Sequence, residues 1–149
     1  MTQSTHPAPA HVARVIAFFE TLTPQSLAGL ADVYAVNARF KDPFNDVQGL
    51  DAIRGVFAHM FVALQKPRFV ITRQVSQGDD CFITWDFYFY LASYQPSVEQ
   101  KIAGATHLVF DAAGRVQVHR DYWDAAEELY EKLPLVGSLM RWLKRRANS

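Results

Sequence analysis

A single cysteine, Cys81, leaves the chain with no partner for an intrachain disulfide and no thiolate cluster for zinc. There is no excess of charge either. Fifteen Lys and Arg balance fifteen Asp and Glu, so no global field favours nucleic acid or an acidic partner. The sequence has no glycine-rich phosphate loop and no HExxH pair of metal-ligating histidines. No run is long and apolar enough to span a membrane. The first residues, MTQSTHPAPA, carry neither a basic n-region nor an apolar stretch, which predicts no secretory signal. Together these absences lead to the expectation of a cytoplasmic protein with no metal, no nucleotide, no other cofactor and no nucleic-acid partner.

What is abundant is apolar and aromatic. Half of the 149 residues are hydrophobic, with eleven Phe, six Tyr and three Trp. That length fits one domain with a core of its own and room for a cavity. Residues 1–10 are rich in Pro, Ser and Thr and read as a flexible N-terminus. From His11 onward, Val12, Val15, Ile16, Phe19 and Leu22 follow the i, i+3, i+4 spacing of a helix. Thr23-Pro24 reads as N-cap and first position of a second helix, with Leu27, Leu30, Val33 and Tyr34 as its buried stripe. ARFKDP is expected to be short and extended, because the residue before proline avoids the α region. Gly49 precedes a third helix that carries Ile53, Phe57, Met60 and Leu64 on one side.

The period then changes. RFVITRQV, CFITWDFYFYL, KIAGATHLVF and RVQVHRDYW are rich in β-branched and aromatic residues, and the turn signals QGDD and DAAG separate them. Three helices followed by at least four antiparallel strands give an α+β order. Asp124 and Glu127 match a capping box for a final helix, which Pro134 is expected to break or kink. Leu135, Leu139 and Leu143 carry an apolar stripe onward to RWLKRR. That basic run reads as a solvated helix end; it is too short to argue for a membrane surface.

This order, with FKDP at Phe40–Pro43, the helix start QGLDAIRGVF and the segment FDAAGR…YW at Phe110–Trp123, resembles the nuclear transport factor 2-like superfamily. Within it, the chain is similar to the branch that holds ketosteroid isomerase and the SnoaL-like polyketide cyclases. The resemblance implies a cone: three N-terminal helices packed on a strongly bent antiparallel sheet, spanning residues 11–125. A C-terminal helical tail, 126–149, extends beyond it.

The same resemblance implies candidate site residues. Asp42 matches the aspartate that serves the isomerases as catalytic base, and a carboxylate against a dry apolar wall can take a proton from carbon next to a carbonyl. Phe18 falls where those enzymes keep an oxyanion-hole tyrosine, and Thr106 where they keep a protonated aspartate. Phenylalanine donates nothing and threonine donates weakly, so ordinary steroid isomerisation is not implied. Asp121 falls where the cyclases keep an acid/base aspartate. Strand alternation puts His119, Asp121 and Trp123 on one face. The cyclases' other histidine position is matched by Thr106, and neighbouring His107 would need a bulge to turn inward.

The expected catalytic set is Asp42, Asp121 and His119, with Phe18, Phe40, Trp85, Thr106 and Trp123 contacting substrate. Each also has a plain structural reading: Asp42 as a turn former, His119 as a core histidine, Trp85 as core. The expected function is acid/base proton transfer on a hydrophobic, carbonyl-bearing small molecule, by an isomerase, cyclase or dehydratase. The alternative is a non-catalytic binding or accessory domain of the same fold. The related isomerases pair through the outer face of the sheet, which implies a homodimer with residues of Phe82–Tyr90 and the His107–Val109 strand in the contact; the competing reading is a monomer whose tail helix from Leu135 folds back over that patch.

Overall fold

The structure is a computed structural model, and it describes residues 8–128 and 134–147. Helix α1, Ala10–Glu20, buries Val12, Val15 and Phe19 on one face, as the spacing requires. Thr21 ends it by donating both its backbone N–H (3.0 Å) and its hydroxyl (2.6 Å) to the Ala17 carbonyl.

The second helix is shorter than the sequence suggests. Thr23 and Ser26 do form a reciprocal cap, each hydroxyl oxygen accepting from the other's backbone N–H, at 3.1 and 2.9 Å. The cap opens only a 3₁₀ turn, Gln25–Gly29, and a single helical turn, α2, Leu30–Val33. The buried residues Leu27, Leu30 and Val33 recur every third position, a spacing that a 3₁₀ turn satisfies as well as an α-helix does. Tyr34 is not the last residue of a helical stripe. It opens strand β1, Tyr34–Lys41, in extended conformation.

β1 turns at 42–45 into the short β2, Asp46–Gln48, with Lys41 paired to Asp46. Gly49, at φ +97°, supplies the left-handed residue that swings the chain into helix α3, Leu50–Ala63. Four long strands follow: β3 Gln65–Gln77, β4 Asp80–Tyr90, β5 Gln100–Phe110 and β6 Val116–Tyr122. The six strands form one curved sheet in the order β2-β1-β6-β5-β4-β3. β1 runs parallel to β6, and every other pairing is antiparallel. Register irregularities in β1, β3 and β5 mark where the ladder bends.

β4 shows which face is which. Cys81, Ile83, Trp85, Phe87 and Phe89 are buried, while Phe82, Thr84, Asp86, Tyr88 and Tyr90 face away. The near-continuous apolar run is therefore a one-sided strand whose outer face carries aromatics. α1 packs against β3, and α3 against β1 and β3, so the helices close the inner face. The core beneath them includes Leu30, Tyr34, Ile53, Ile83, Leu108 and Val116, all almost fully buried.

Asp124 caps α4, Ala125–Glu128, by accepting the Glu127 N–H at 3.1 Å. A further helix, α5, is described over Pro134–Ala147, and the break or kink expected at Pro134 falls against residues outside the described ones. The chain between them, residues 129–133, lies outside the described residues. Leu139, Trp142 and Leu143 on α5 are exposed. Among the described residues no helix is long and apolar enough to cross a membrane.

Candidate functional site

The bent sheet, α3 and the β1–β2 hairpin enclose a cavity of about 370 Å³. That volume suits a small organic ligand, and such sites are mostly apolar with a few polar groups. Phe40, Phe57, Phe69, Trp85, Phe87 and Trp123 supply its aromatic walls. Aliphatic cover comes from Met60, Leu64 and Ile102, among others. The polar lining is Asp42, Asn45, His59 and Asp121. A more open groove of about 550 Å³, with Lys41 and Arg120 on it, adjoins the cavity and shares Asp42, Asp121 and Trp123 with it.

Of the residues expected at the site, Asp42, Asp121, Phe40, Trp85 and Trp123 line the cavity. Phe18 does not. It is partly buried among the helices, with its ring edge-on to Phe19 (5.9 Å) and Tyr34 (6.5 Å). His119 and Thr106 are not on the wall either; both are buried behind it, and both bond the cavity-lining Asp121. His107 stays on the outer face. No register shift occurs where it pairs with Phe82, and its ring stacks flat on Phe82 at 4.3 Å while bonding Asp80 at 2.7 Å.

The two aspartates differ in what their oxygens do. Asp42 Oδ1 accepts the backbone N–H of Phe44 (2.8 Å) and of Asn45 (2.6 Å). The Asn45 side-chain amide is 3.1 Å from both of its oxygens. The Asp42 N–H in turn donates to the Asn45 carbonyl at 2.9 Å. This is an aspartate organising its own tight turn. It also stands at the cavity, because the hairpin it builds forms part of the wall.

Asp121 sits at the end of a buried network. Its Oδ1 accepts from the Thr106 hydroxyl at 2.6 Å and lies 2.7 Å from His119 Nε2. Thr106 Oγ1 accepts the Trp85 indole N–H at 2.8 Å. On the other side of the imidazole, His119 Nδ1 is 2.7 Å from the Tyr34 hydroxyl. Asp121 Oδ2 has no hydrogen-bond partner among the described residues. It is not sealed from solvent, since no buried polar side-chain atom lacks a partner among them.

Aromatic rings enclose the imidazole. Phe40 lies 4.4 Å from it, Phe19 meets it edge-on at 5.5 Å, and Tyr34 stacks on it at 5.9 Å. Burial first, and then the negative charge of Asp121, hold the Tyr34 phenol well above its ordinary pKa, so it keeps its proton.

Sequence reasoning missed Tyr34, because its spacing joined it to a helical segment that ends at Val33. It also missed Asn45 and His59. Val56, His59, Met60 and Ala63 recur at helical spacing along α3, and that face, read as a wall, was the available signal. Among the described residues no group of three or more His, Cys, Asp or Glu could hold a metal ion.

Comparison with known proteins follows this geometry. The model for the SnoaL-like domain matches residues 15–128, well over half of the chain. Among solved structures, one from Catenulispora acidiphila with a ketosteroid isomerase-like fold superposes with a TM-score of 0.69 at 18% identity, covering 83% of this chain and 92% of that one. A nuclear transport factor 2-like protein of unknown function from Burkholderia pseudomallei gives 0.70 at 15% identity, over 80% and 95%. A protein from Shewanella putrefaciens described as a SnoaL-like polyketide cyclase gives 0.67 at 18% identity, over 83% and 98%. None of the curated proteins matches the chain. Identities this low establish the shared fold alone.

Proposed function

We propose that this chain, which belongs to the SnoaL-like domain family, is a small-molecule enzyme that moves a proton on a hydrophobic, carbonyl-bearing ligand, with Asp121 as its acid/base. One observation carries the reading. Asp121 Oδ1 accepts from Thr106 and faces His119 Nε2, its Oδ2 has no partner among the described residues, and the residue lines an aromatic cavity of ligand size. A carboxylate held in that way presents a fixed lone pair to whatever fills the cavity. In the proposed step, Oδ2 takes a proton from the carbon next to a carbonyl. The electron pair of that C–H bond moves toward the carbonyl oxygen, and the proton returns to the same or a neighbouring carbon. His119 orients the carboxylate, Trp85 and Thr106 brace it, and Phe40 and Trp123 flank the ligand. Asp42 shapes the mouth and adds a second carboxylate there.

The α-protons of hydrophobic ketones report this chemistry without knowledge of the natural substrate. In D₂O, 2-tetralone and related bicyclic ketones are expected to exchange α-protons for deuterium faster with the protein present. The acceleration should be lost in Asp121→Asn. No acceleration for any ketone that binds the cavity would overturn the reading.

A non-catalytic binding module of the same fold is the second reading, and a specific observation favours it. The two hydroxyls of the Asp121 network, those of Tyr34 and Thr106, are engaged by His119 and by Asp121, so neither is free to hold an enolate oxygen. The same exchange experiment separates the two: ketone binding with no exchange supports the module.

A further inference from the structure

Tyr34 is almost wholly buried, and among the described residues the one hydrogen bond of its hydroxyl is to His119 Nδ1. The proton positions in this network follow from what each atom is able to do. An indole N–H only donates, so Thr106 Oγ1 accepts from Trp85 and has its own proton left to give to Asp121. A carboxylate only accepts, so His119 Nε2 must be the protonated nitrogen facing Asp121 Oδ1. The remaining contact is Tyr34 with His119 Nδ1. If Nδ1 also carried a proton, it would donate to the phenol oxygen, and the phenol's own buried proton would then have no acceptor. An unmatched buried donor costs about 1–3 kcal/mol. If Nδ1 carries the lone pair, every donor and acceptor in the set is satisfied.

We infer that Tyr34 is the positioning residue of this site: its phenol donates to His119 Nδ1, fixes the imidazole as the Nε2–H tautomer, and thereby holds Asp121 by Oδ1 so that Oδ2 is the oxygen turned to the cavity. The inference rests on the reading of Asp121 as acid/base. Both donors meet the same carboxylate oxygen, so rotating the carboxylate would break both bonds at once. In the opposite tautomer, Nε2 would set a lone pair against Oδ1 and push the carboxylate out of register. A proton handed to Asp121 therefore has no route through His119, whose Nε2 is already occupied by one.

The register of β1 makes this possible. Tyr34 pairs with Val116, Phe40 pairs with His119, and an irregularity lies between Tyr34 and Arg39. Strict alternation is broken at 35–37, where Ala35 is buried and Val36 is exposed. Six residues apart, Tyr34 and Phe40 still share the inner face, so one strand sets Phe40 against the imidazole and brings the Tyr34 hydroxyl to its far nitrogen.

Imidazole nitrogen NMR on ¹⁵N-labelled full-length protein tests this directly and requires no substrate. His119 is assigned by loss of its signals in His119→Gln. In the wild type at neutral pH, Nδ1 is expected at the unprotonated position and Nε2 at the protonated one, as a single tautomer. In Tyr34→Phe, which keeps the ring and loses only the hydroxyl, Asp121 still holds the Nε2 proton, and Nδ1 should shift to the value of an unprotonated nitrogen that accepts no hydrogen bond. A protonated Nδ1 in the wild type overturns the inference, and so does a His119 spectrum unchanged by Tyr34→Phe. If Tyr34→Phe does not fold, the wild-type spectrum decides alone. The reading of Asp121 fails separately: if the tautomer is as stated and Asp121→Asn still exchanges ketone protons, Asp121 is not the base.

Discussion

Trp85 lies across Gly104, its directly paired neighbour on β5, so closely that a Cβ at Gly104 would fall 2.6 Å from the indole Cζ2 and 2.9 Å from Cζ3, and closer still to Cη2. The absent side chain is what allows the indole to lie flat on the strand and reach Thr106 at 2.8 Å. Gly104→Ala is therefore expected to push the indole off its seat and break that bond. Overpacking of this kind costs about 1–3 kcal/mol. Urea denaturation should show the loss, and tryptophan emission should shift as the ring leaves its buried site. Unchanged stability with unchanged emission would mean that the strand yields without moving Trp85.

The two cavity aspartates should respond differently to the same change. Asp42→Asn keeps an oxygen for the Phe44 and Asn45 N–H groups, so stability is expected to fall by less than about 1 kcal/mol. Asp42→Ala removes the acceptor from three donors and should cost about 1–3 kcal/mol. In the ketone exchange assay, Asp42→Asn should retain most of the rate. Asp121→Asn should lose at least about a hundredfold, the usual scale for a general base. An equal loss in both variants would restore Asp42 as a partner in the chemistry and undo its reading as chiefly a turn former.

Tyr34 makes stability depend on alkaline pH. Its phenol has an ordinary value of 10.0 and is raised well above that in the folded protein, by burial first and by Asp121 second. The unfolded chain therefore releases this proton near pH 10, while the folded chain holds it. Stability from this group is complete below about pH 10 and falls as pH rises beyond it. Burial also raises the Cys81 thiol from its ordinary 9.0, with a hydrogen bond involving Ser76 opposing, so Cys81 adds a loss of the same sign that starts lower. Melting temperature should decline from about pH 9 upward, and more gently in Tyr34→Phe than in the wild type above pH 10. Parallel curves for the two proteins would remove Tyr34 from the account.

Much of this fold could be read in the chain because burial period and secondary structure agree. Val12, Val15 and Phe19 bury one helical face, and Cys81 through Phe89 alternate as a strand with one side inward. The reading failed where two periods coincide. Leu27, Leu30 and Val33 satisfy both a helix and a 3₁₀ turn at i+3, and only tertiary context places Tyr34 in a strand. Its loss from the site list follows directly.

The candidate site was legible to the depth of one layer. Asp42, Asp121 and Trp123 could be placed by alternation and by family resemblance. The hydrogen bonds that distinguish an aspartate organising a turn from one with an unpartnered oxygen are angular facts that no spacing encodes. Phe18 was placed by family resemblance alone, and the structure sets its ring against Tyr34, outside the cavity lining.

The outer face of the sheet carries the last prediction. Val75, Phe82 and His107 are register partners across β3, β4 and β5, and they form one row on the side away from the helices. Val75 is 68% exposed and Phe82 51%, although Phe82 stacks on His107. Farther along β4 the aromatics are better covered. Arg68 lies over Tyr88 at 4.1 Å and Lys66 over Tyr90 at 5.9 Å. An apolar row flanked by cation-covered tyrosines is suited to a self-complementary contact, because a two-fold axis sets the row against its own copy. The protein is expected to be a homodimer through this face, with Phe82 nearer its centre than Tyr88. Light scattering at micromolar concentration should give twice the chain mass. Phe82→Asp, which buries a charge only if the dimer forms, should return the chain mass, and Tyr88→Arg should weaken association less. The cavity opens on the opposite face, so ketone exchange by the Phe82→Asp monomer should persist. If the wild type is monomeric at every concentration, the row is not a dimer contact, and the exposed Leu139, Trp142 and Leu143 of α5 become the segment to test against it by deletion.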